Sequence, residues 1–255
     1  MFSIHRPGPP LACSIELIWY NESYPGAHRR ERALPNGRFQ LIIDLSGGFA
    51  PIVVGMQSKY AVLDTATLQH LMSVVFRPGG TREFFDLPAD AFYNEVVPLE
   101  QVWGAEATAL RDRLREAPTA AGKVCVLESA LIERRLARRN LHDAVRYALG
   151  RLQQDAHIRS VADVTRETGL SRRRFAQLFR EQVGITPKLY CRLHRFQRVL
   201  RHIASGAPVD WAEVALAGGY CDQAHLANEF RDFSGITPGA YLASDHPFVN
   251  HVPMD

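Results

Sequence analysis

The sequence predicts an α+β protein of two domains, the first rich in β-strands and the second built from helices alone. Alternating apolar and polar residues mark the first part of the chain, which is the period-two pattern of strands. Helical spacing of apolar residues replaces that pattern after Pro98. The last third contains two near-copies of one segment, and we place the domains at residues 1–139 and 140–255.

Five short strands are predicted in the first domain. They are residues 13–21, 38–45, 52–56, 60–63 and 71–76. Turn formers such as Pro35-Asn36-Gly37 separate them, and several short strands at this spacing are typical of a small barrel or sandwich. Two helices, residues 103–116 and 122–139, are expected to follow the strands. The apolar stripe of the second helix fits either packing on its own domain or a dimer contact.

The near-copies, residues 160–190 and 210–241, each have the pattern of a short helix, a glycine turn and a longer helix. The best-conserved matches between them are Gly184, Ile185, Thr186, Pro187 and Tyr190, which recur 51 positions later as Gly235, Ile236, Thr237, Pro238 and Tyr241. That order is typical of helix-turn-helix units. The predicted helix caps are Ser160, Ser171, Asp210 and Asp222.

One long helix is predicted between the two copies, because an apolar face runs without interruption from Leu189 to Ile203. We expect about seven helices in this domain. They are one before the first copy, two in each copy, the long helix between the copies and a short one at the end. The residues from Ser244 onward are expected to be poorly ordered.

Charge is distributed unevenly along the copies. Residues 172–201 contain nine basic residues against one acidic residue, a net charge of +8. Residues 206–245 contain one basic residue against six acidic ones, a net charge of −5. A concentrated basic stretch on helix-turn-helix units indicates a polyanion partner. The acidic residues of the second copy would repel such a partner unless they cap helices or pair internally.

Several other functions find little support in the sequence. Its four cysteines are scattered without a C-x-x-C pair, and the first domain has no H-x-H, so neither metal nor cofactor is expected. Neither a G-x-S-x-G segment nor a P-loop occurs, and we expect no enzymatic activity. No apolar run is long enough to cross a membrane and no secretory signal is visible, which predicts a cytoplasmic protein.

By these residues the chain resembles the AraC/XylS family of bacterial transcription regulators. The segments AGGYCDQAHLANEFRDFSGITPGAY and SRRRFAQLFREQVGITPKLY are similar to the two helix-turn-helix units of that family, and the similarity covers residues 141–243. The resemblance implies sequence-specific binding to double-stranded DNA, with RNA polymerase as a further partner. LPNGRFQLIIDL and FRPGG resemble a less well described N-terminal domain of some of these regulators.

DNA contacts are expected on the outer face of the second helix of each unit, since a major groove admits one helix. In the first unit and the long helix, the candidates are Ser171, Arg172, Arg173, Arg174, Gln177, Arg180, Lys188, Arg192 and Arg195. In the second unit they are Gln223, His225, Asn228 and Arg231. Arg173 and Gln177 are expected to read bases, and the neighbouring arginines to bind phosphate. The first unit should therefore supply most of the affinity.

In the family that the chain resembles, an N-terminal domain binds a small molecule, dimerises or does both, so the resemblance implies that this one senses a small-molecule effector. A β-barrel would make an interior cavity possible. The candidate ligand-binding residues are Trp19, Tyr20, Arg38, Tyr60, Phe76 and Arg77. The alternative is a domain that serves only for homodimerisation or for binding a protein partner. The sequence leaves activation and repression both open.

Overall fold

The computed structural model describes residues 2–24, 29–135, 140–154, 161–245 and 248–254. Within these residues the chain forms nine strands and ten helices. The strands are β1 (Phe2–His5), β2 (Ile15–Asn21), β3 (Arg30–Ala33), β4 (Gln40–Asp44), β5 (Ile52–Val54), β6 (Ala61–Asp64), β7 (Leu71–Phe76), β8 (Val96–Pro98) and β9 (His251–Met254). The helices are α1 (Glu100–Trp103), α2 (Glu106–Glu116), α3 (Ala120–Arg134), α4 (Asp143–Gln154), α5 (Val161–Glu167), α6 (Arg172–Val183), α7 (Pro187–Ala204), α8 (Trp211–Gly218), α9 (Gln223–Ser234) and α10 (Pro238–Ala243).

The two-domain α+β prediction is confirmed, with a β-rich first part and seven helices, α4 to α10, in the second. All five predicted strands occur, as β2, β4, β5, β6 and β7. The predicted helix 103–116 corresponds to α2, which begins at Glu106. Gly104, whose φ of 62° does not continue a helix, separates it from the short α1 that ends at Trp103. The predicted helix 122–139 begins two residues earlier as α3, and residues 136–139 lie outside the described residues.

Two antiparallel sheets form the β-rich part. The larger has the order β1-β2-β7-β4-β5-β8, and the smaller has the order β6-β3-β9. Strand β7 lies in the middle of the larger sheet and all six of its residues are buried. Because β7 is covered on both faces, its apolar run lacks the alternation seen in β2 and β4. Apolar side chains of the sheets and of the C-terminal helices belong to one continuous core.

Strand β9 follows the last helix in sequence but pairs with β3 of the first domain. Val252 of this strand is 2% exposed, and the backbone N–H of Leu34 donates to the carbonyl of Asn250 at 2.7 Å. The expected disorder after Ser244 is therefore wrong for residues 248–254, which are held by the backbone hydrogen bonds of a sheet edge. The domain partition at residues 139 and 140 stays a prediction, and β9 crosses it.

The C-terminal helices begin and end at the predicted signals. Side-chain oxygens of Ser171, Asp210 and Asp222 each accept a backbone N–H of the following turn. The two Thr-Pro pairs cap α7 and α10 in the same way, with proline at the start of each helix. The predicted cap at Ser160 lies outside the described residues.

Candidate nucleic-acid interface

Helices α6 and α9 occupy equivalent places in the two copies, and each is 12 residues long. Both rest on the long helix α7. The ring of Phe179 on α6 meets Tyr190 with ring centres 5.5 Å apart, and Phe230 on α9 meets Phe196 at 5.1 Å. Their apolar faces are buried on this spacer, so their outer faces are left to solvent. Two exposed helices on one rigid spacer match what two successive grooves would require.

The first turn of α6 carries Arg172, Arg173 and Arg174, and all three are exposed. Cations are unfavourable at a helix N-terminus, where unsatisfied N–H groups already carry partial positive charge. The three arginines are therefore poorly explained by helix stability, and they are well placed to meet an anion. Ser171, a predicted contact, caps this helix by accepting the N–H of Arg174 at 3.3 Å.

Two further predicted contacts on α6 already have partners. The Gln177 amide donates to Glu181 Oε1 at 2.7 Å, one turn along the same exposed face. Arg180 Nε donates at 3.0 Å to Asp90 Oδ2 of the N-terminal domain. Gln177 remains accessible to a base edge. Arg180 is exposed as well, but its Nε is paired with the N-terminal domain.

Helix α9 presents a different outer face. Gln223, Asn228 and Arg231 are exposed, and His225 is half-buried. The His225 ring lies edge-on to Tyr220 with ring centres 5.2 Å apart. This helix therefore offers mainly neutral polar groups, together with one exposed arginine.

The acidic residues around α9 are used internally. Asp222 caps the helix by accepting the N–H of His225 at 2.7 Å. The Glu229 side chain is 4% exposed and lies between two arginines of α7, with Arg192 Nε at 2.7 Å and Arg195 Nη2 at 2.9 Å. Arg192 also donates to Asp232 at 3.0 Å. The repulsion suggested by the −5 segment is thus largely cancelled, since the acids cap or pair as the sequence allowed.

The same ion pairs involve two residues of α7, Arg192 and Arg195, that the sequence predicted as DNA contacts. Arg192 and Arg195 are partly buried against α9, and their guanidinium groups stack over Phe233 and Tyr220 at 5.0 and 5.2 Å. Burial opposes the charge of Arg192, but the hydrogen bonds that it donates to the Glu229 and Asp232 carboxylates hold its pKa above the usual value. Their role as DNA contacts stays a prediction. Lys188, at the start of α7, is exposed.

Three of the six candidate ligand residues each have partners within the N-terminal domain. Phe76 is fully buried in an aromatic cluster of the larger sheet. The Tyr20 hydroxyl is hydrogen-bonded to His70 Nε2 at 2.7 Å. Arg77 is exposed and donates to the carbonyl of Ala12 at 2.9 Å.

The other three candidates also have separate surroundings. Trp19 on β2 packs against Phe2, with ring centres 6.3 Å apart. Arg38 donates to Glu16 at 2.6 Å. Tyr60 precedes β6, and its backbone N–H donates to the carbonyl of Phe233 on α9 at 3.0 Å. Of the six candidates, Tyr60 lines the groove described next, and the role of all six in ligand binding stays a prediction.

Tyr60 lines a groove between the two domains, with a volume of about 1020 Å³. We call it the interdomain groove. Its lining residues include Ser58, Lys59, Tyr60, Thr186, Lys188, Leu189, Arg192, Arg231, Asp232 and Phe233. Lys59, Lys188 and Arg231 are exposed cations at its edge, and Tyr60 and Phe233 give it apolar surface. Sequence reasoning could not find this groove, since it depends on contacts between residues more than 100 positions apart.

Other kinds of site are not apparent in the part of the chain that the structure describes. That part contains no group of three or more His, Cys, Asp or Glu side chains arranged to hold a metal ion. None of its helices combines the length and the apolar character that crossing a bilayer requires.

Two family models match separate parts of the chain. Residues 164–244 match the model of a helix-turn-helix domain. Residues 3–98 match a domain of unknown function (DUF6597). No curated protein matches the sequence significantly.

Several solved structures have a similar chain course. ToxT from Vibrio cholerae is 10% identical, with a TM-score of 0.45 over 95% of this chain and 97% of that chain. An unsaturated fatty acid-bound ToxT from Vibrio cholerae strain SCE256 is 9% identical, with a TM-score of 0.41 over 95% and 94% of the two chains. The xylose-binding transcription activator XylR is 18% identical, with a TM-score of 0.35 over 55% of this chain and 37% of that chain.

Proposed function

We propose that this chain, whose C-terminal region is an AraC-type helix-turn-helix domain, regulates transcription by inserting α6 and α9 into successive major grooves of double-stranded DNA. The observation that carries this proposal is the exposed arginine triplet in the first turn of α6, at a position where helix stability disfavours cations. The second unit presents an equivalent exposed polar helix, α9, on the same spacer.

The two helices would divide the work of recognition. Arg173 and Gln177 are placed to read base edges from α6, with Arg172 and Arg174 on the flanking phosphates. Gln223 and Asn228 would read bases from α9, with Arg231 on phosphate. His225 would contribute from its half-buried position if its ring turns outward from Tyr220. Affinity would come mainly from α6, and α9 would add selectivity.

A footprinting experiment tests this function directly. The purified protein is titrated against the DNA upstream of its own gene and of neighbouring genes, at low and at moderate ionic strength. We expect two protected segments about one helical turn apart, on one face of the duplex, with affinity that falls steeply with salt. A protein that protects no promoter fragment at low ionic strength would refute the proposal.

We further propose that a small molecule controls this activity by binding in the interdomain groove. Three exposed cations and the aromatic surface of Tyr60 suit a ligand with an anionic group on an apolar body. Lys188 and Arg231 are also candidate DNA contacts, so a ligand on them would alter DNA binding directly.

A thermal-shift screen of small carboxylates and phosphates against the wild type and Lys59→Ala tests the effector. A ligand that binds the folded state raises the melting temperature. We expect a hit whose shift is lost in the variant and which changes DNA affinity in the wild type. Silence across a broad library would favour the alternative, a domain that serves only dimerisation or a protein partner.

The remaining partners follow from this function. RNA polymerase would be contacted by a regulator bound at a promoter, and a homodimer would double the length of DNA that is read. The protein would act in the cytoplasm by binding rather than by catalysis. Sedimentation of the free and DNA-bound protein would distinguish monomer from dimer.

A further inference from the structure

Both recognition helices end on a glycine that touches the N-terminal domain. Gly184 ends α6 and Gly235 ends α9, and they are the same residue of the duplicated segment, 51 positions apart. Both have left-handed backbone, with φ of 99° and 72°. A left-handed C-cap explains glycine at these places, but it does not explain why each one lies against an aromatic side chain of the other domain.

The first contact is at Gly184. A methyl group at this position would come within 2.8 Å of the Phe39 ring and 3.3 Å of the Ala89 carbonyl oxygen. The 3₁₀ turn Ala89–Phe92 packs along α6, and its Asp90 holds Arg180 at 3.0 Å. The C-terminal end of the first recognition helix is therefore held by ring, backbone and ion-pair contacts together.

The second contact is at Gly235. A methyl group here would come within 2.5 Å of the Tyr60 ring. The Tyr60 N–H donates to the Phe233 carbonyl in the last turn of α9 at 3.0 Å, and the Arg32 guanidinium lies over the same ring at 5.3 Å. The second recognition helix is thus held at the equivalent point by a different segment of the N-terminal domain, the one that precedes β6.

The spacer helix is held between these two contacts. Gly37 lies beside Leu193, and the Gln197 amide donates to the Pro35 carbonyl at 2.9 Å. The turn Pro35–Phe39, which the sequence marked only as a strand boundary, therefore follows α7 and then reaches Gly184. Two segments of the N-terminal domain, the turn before β4 and the residue before β6, therefore contact both recognition helices and the spacer that joins them.

We propose that Phe39 and Tyr60 are positioning residues for DNA recognition. Through the two equivalent glycine turns, they hold α6 and α9 in one relative position, so the spacing of half-sites that the protein accepts is set by the N-terminal domain as well as by α7. This role rests on the proposed DNA-reading function. A ligand in the adjacent interdomain groove, which Tyr60 lines, would then change spacing preference through this contact.

The test uses full-length protein and two duplexes. The first is the tightest-binding duplex that the wild type selects from a random library, and the second has five base pairs inserted between its half-sites, about half a helical turn. The measured quantity is the affinity for the first duplex divided by the affinity for the second. We expect Tyr60→Ala to lower this ratio by about fivefold or more, as for a typical coupling between sites. Tyr60→Phe, which keeps the ring, should restore it.

Phe2→Ala is the matched control, since it removes an exposed aromatic ring of the N-terminal domain on edge strand β1. It should leave the ratio unchanged. If Tyr60→Ala fails to fold by circular dichroism, Asp90→Asn replaces it, because that change removes the ion pair with Arg180 and leaves the Tyr60 ring in place. A ratio within twofold of the wild type in the folded variant would overturn the positioning role alone. A wild type that selects no duplex would refute the DNA-reading function itself.

Discussion

The two helix-turn-helix units are copies in sequence, yet they meet solvent and spacer in different ways. The first shows three exposed arginines at the start of α6 and packs Phe179 against Tyr190 of α7. The second shows neutral polar groups on α9 and buries a carboxylate, Glu229, between Arg192 and Arg195. The two copies share their helix caps and turns. Their charged groups differ, since those of α6 are exposed arginines and α9 has a buried glutamate.

The difference shows that net charge along a sequence is a poor measure of what a surface presents. The basic and acidic segments suggested an attractive first unit and a repulsive second unit. The structure instead places acids of the second unit against arginines that follow the first, so both outer faces are compatible with DNA. The two units then differ in how strongly they attract DNA, and neither repels it. Four experiments test that comparison.

The largest effect is expected at the buried carboxylate. Glu229→Ala would leave two partly buried arginines without their shared partner, and removal of one member of a buried ion pair costs on the order of 3–5 kcal/mol. Glu181→Ala, on the exposed face of α6, should change the free energy of unfolding by less than about 0.5 kcal/mol. Urea denaturation measures both. A small effect of Glu229→Ala would mean that the second unit is held by its apolar contacts alone.

Acid should lower the stability of the protein through His194, which lies on the spacer helix α7. Burial, with a smaller contribution from Arg38, lowers the pKa of His194 to about 4. The unfolded chain therefore takes up a proton near pH 6.5 and the folded chain does not, so this stability is present above pH 6.5 and is lost as pH falls toward 4. The loss between pH 7 and pH 5 should be about 2 kcal/mol.

Denaturation of His194→Gln at both pH values gives the comparison. The variant should lose less stability than the wild type over this interval, by about the same amount, because its amide does not titrate. Equal losses in the two proteins would show that His194 becomes charged inside the fold without cost.

DNA affinity should depend more on the first unit than on the second. Arg173→Ala removes a side chain that can bind guanine at two points, and should weaken specific binding about tenfold. Asn228→Ala on α9 should have a severalfold smaller effect. Anisotropy titrations with the selected duplex measure both variants. Equal losses would refute the asymmetry.

The smallest effect concerns salt. Each phosphate contact contributes about 0.9 to the slope of log affinity against log salt concentration. Arg172→Ala should lower the slope by that amount, whereas Arg192→Ala should leave it unchanged because Glu229 and Asp232 already engage its guanidinium. A lower slope for Arg192→Ala would mean that Arg192 contacts a DNA phosphate, as the sequence predicted.

Local signals predicted the C-terminal domain well. Caps such as Ser171 and Asp210 and the glycine at 184 act within one turn of the chain, so their pattern can be read directly from the sequence. Strands with regular alternation, such as β2, were predicted for the same reason. Strand β3 was missed because its residues are Arg-Glu-Arg-Ala, and it becomes a strand through pairing with β6 and β9.

The candidate site was predicted in part. The exposed face of α6 follows from helical period, and the structure leaves its arginine triplet exposed as expected. The pairing of Arg192 with Glu229, and the contact of Tyr60 with Gly235, join residues far apart in sequence. No periodic pattern reports such partners. For the same reason the aromatic candidate Phe76 could not be distinguished from a core residue.

Strand β9 has a practical consequence for work on the separate halves. A fragment of residues 1–139 would lack the strand that covers one side of β3, and the buried Glu31 would lose its neighbour His251. Such a fragment would carry an open backbone edge and should self-associate. The N-terminal half would then behave as a monomer in isolation only when the last residues of the chain are supplied with it, for instance as an added peptide.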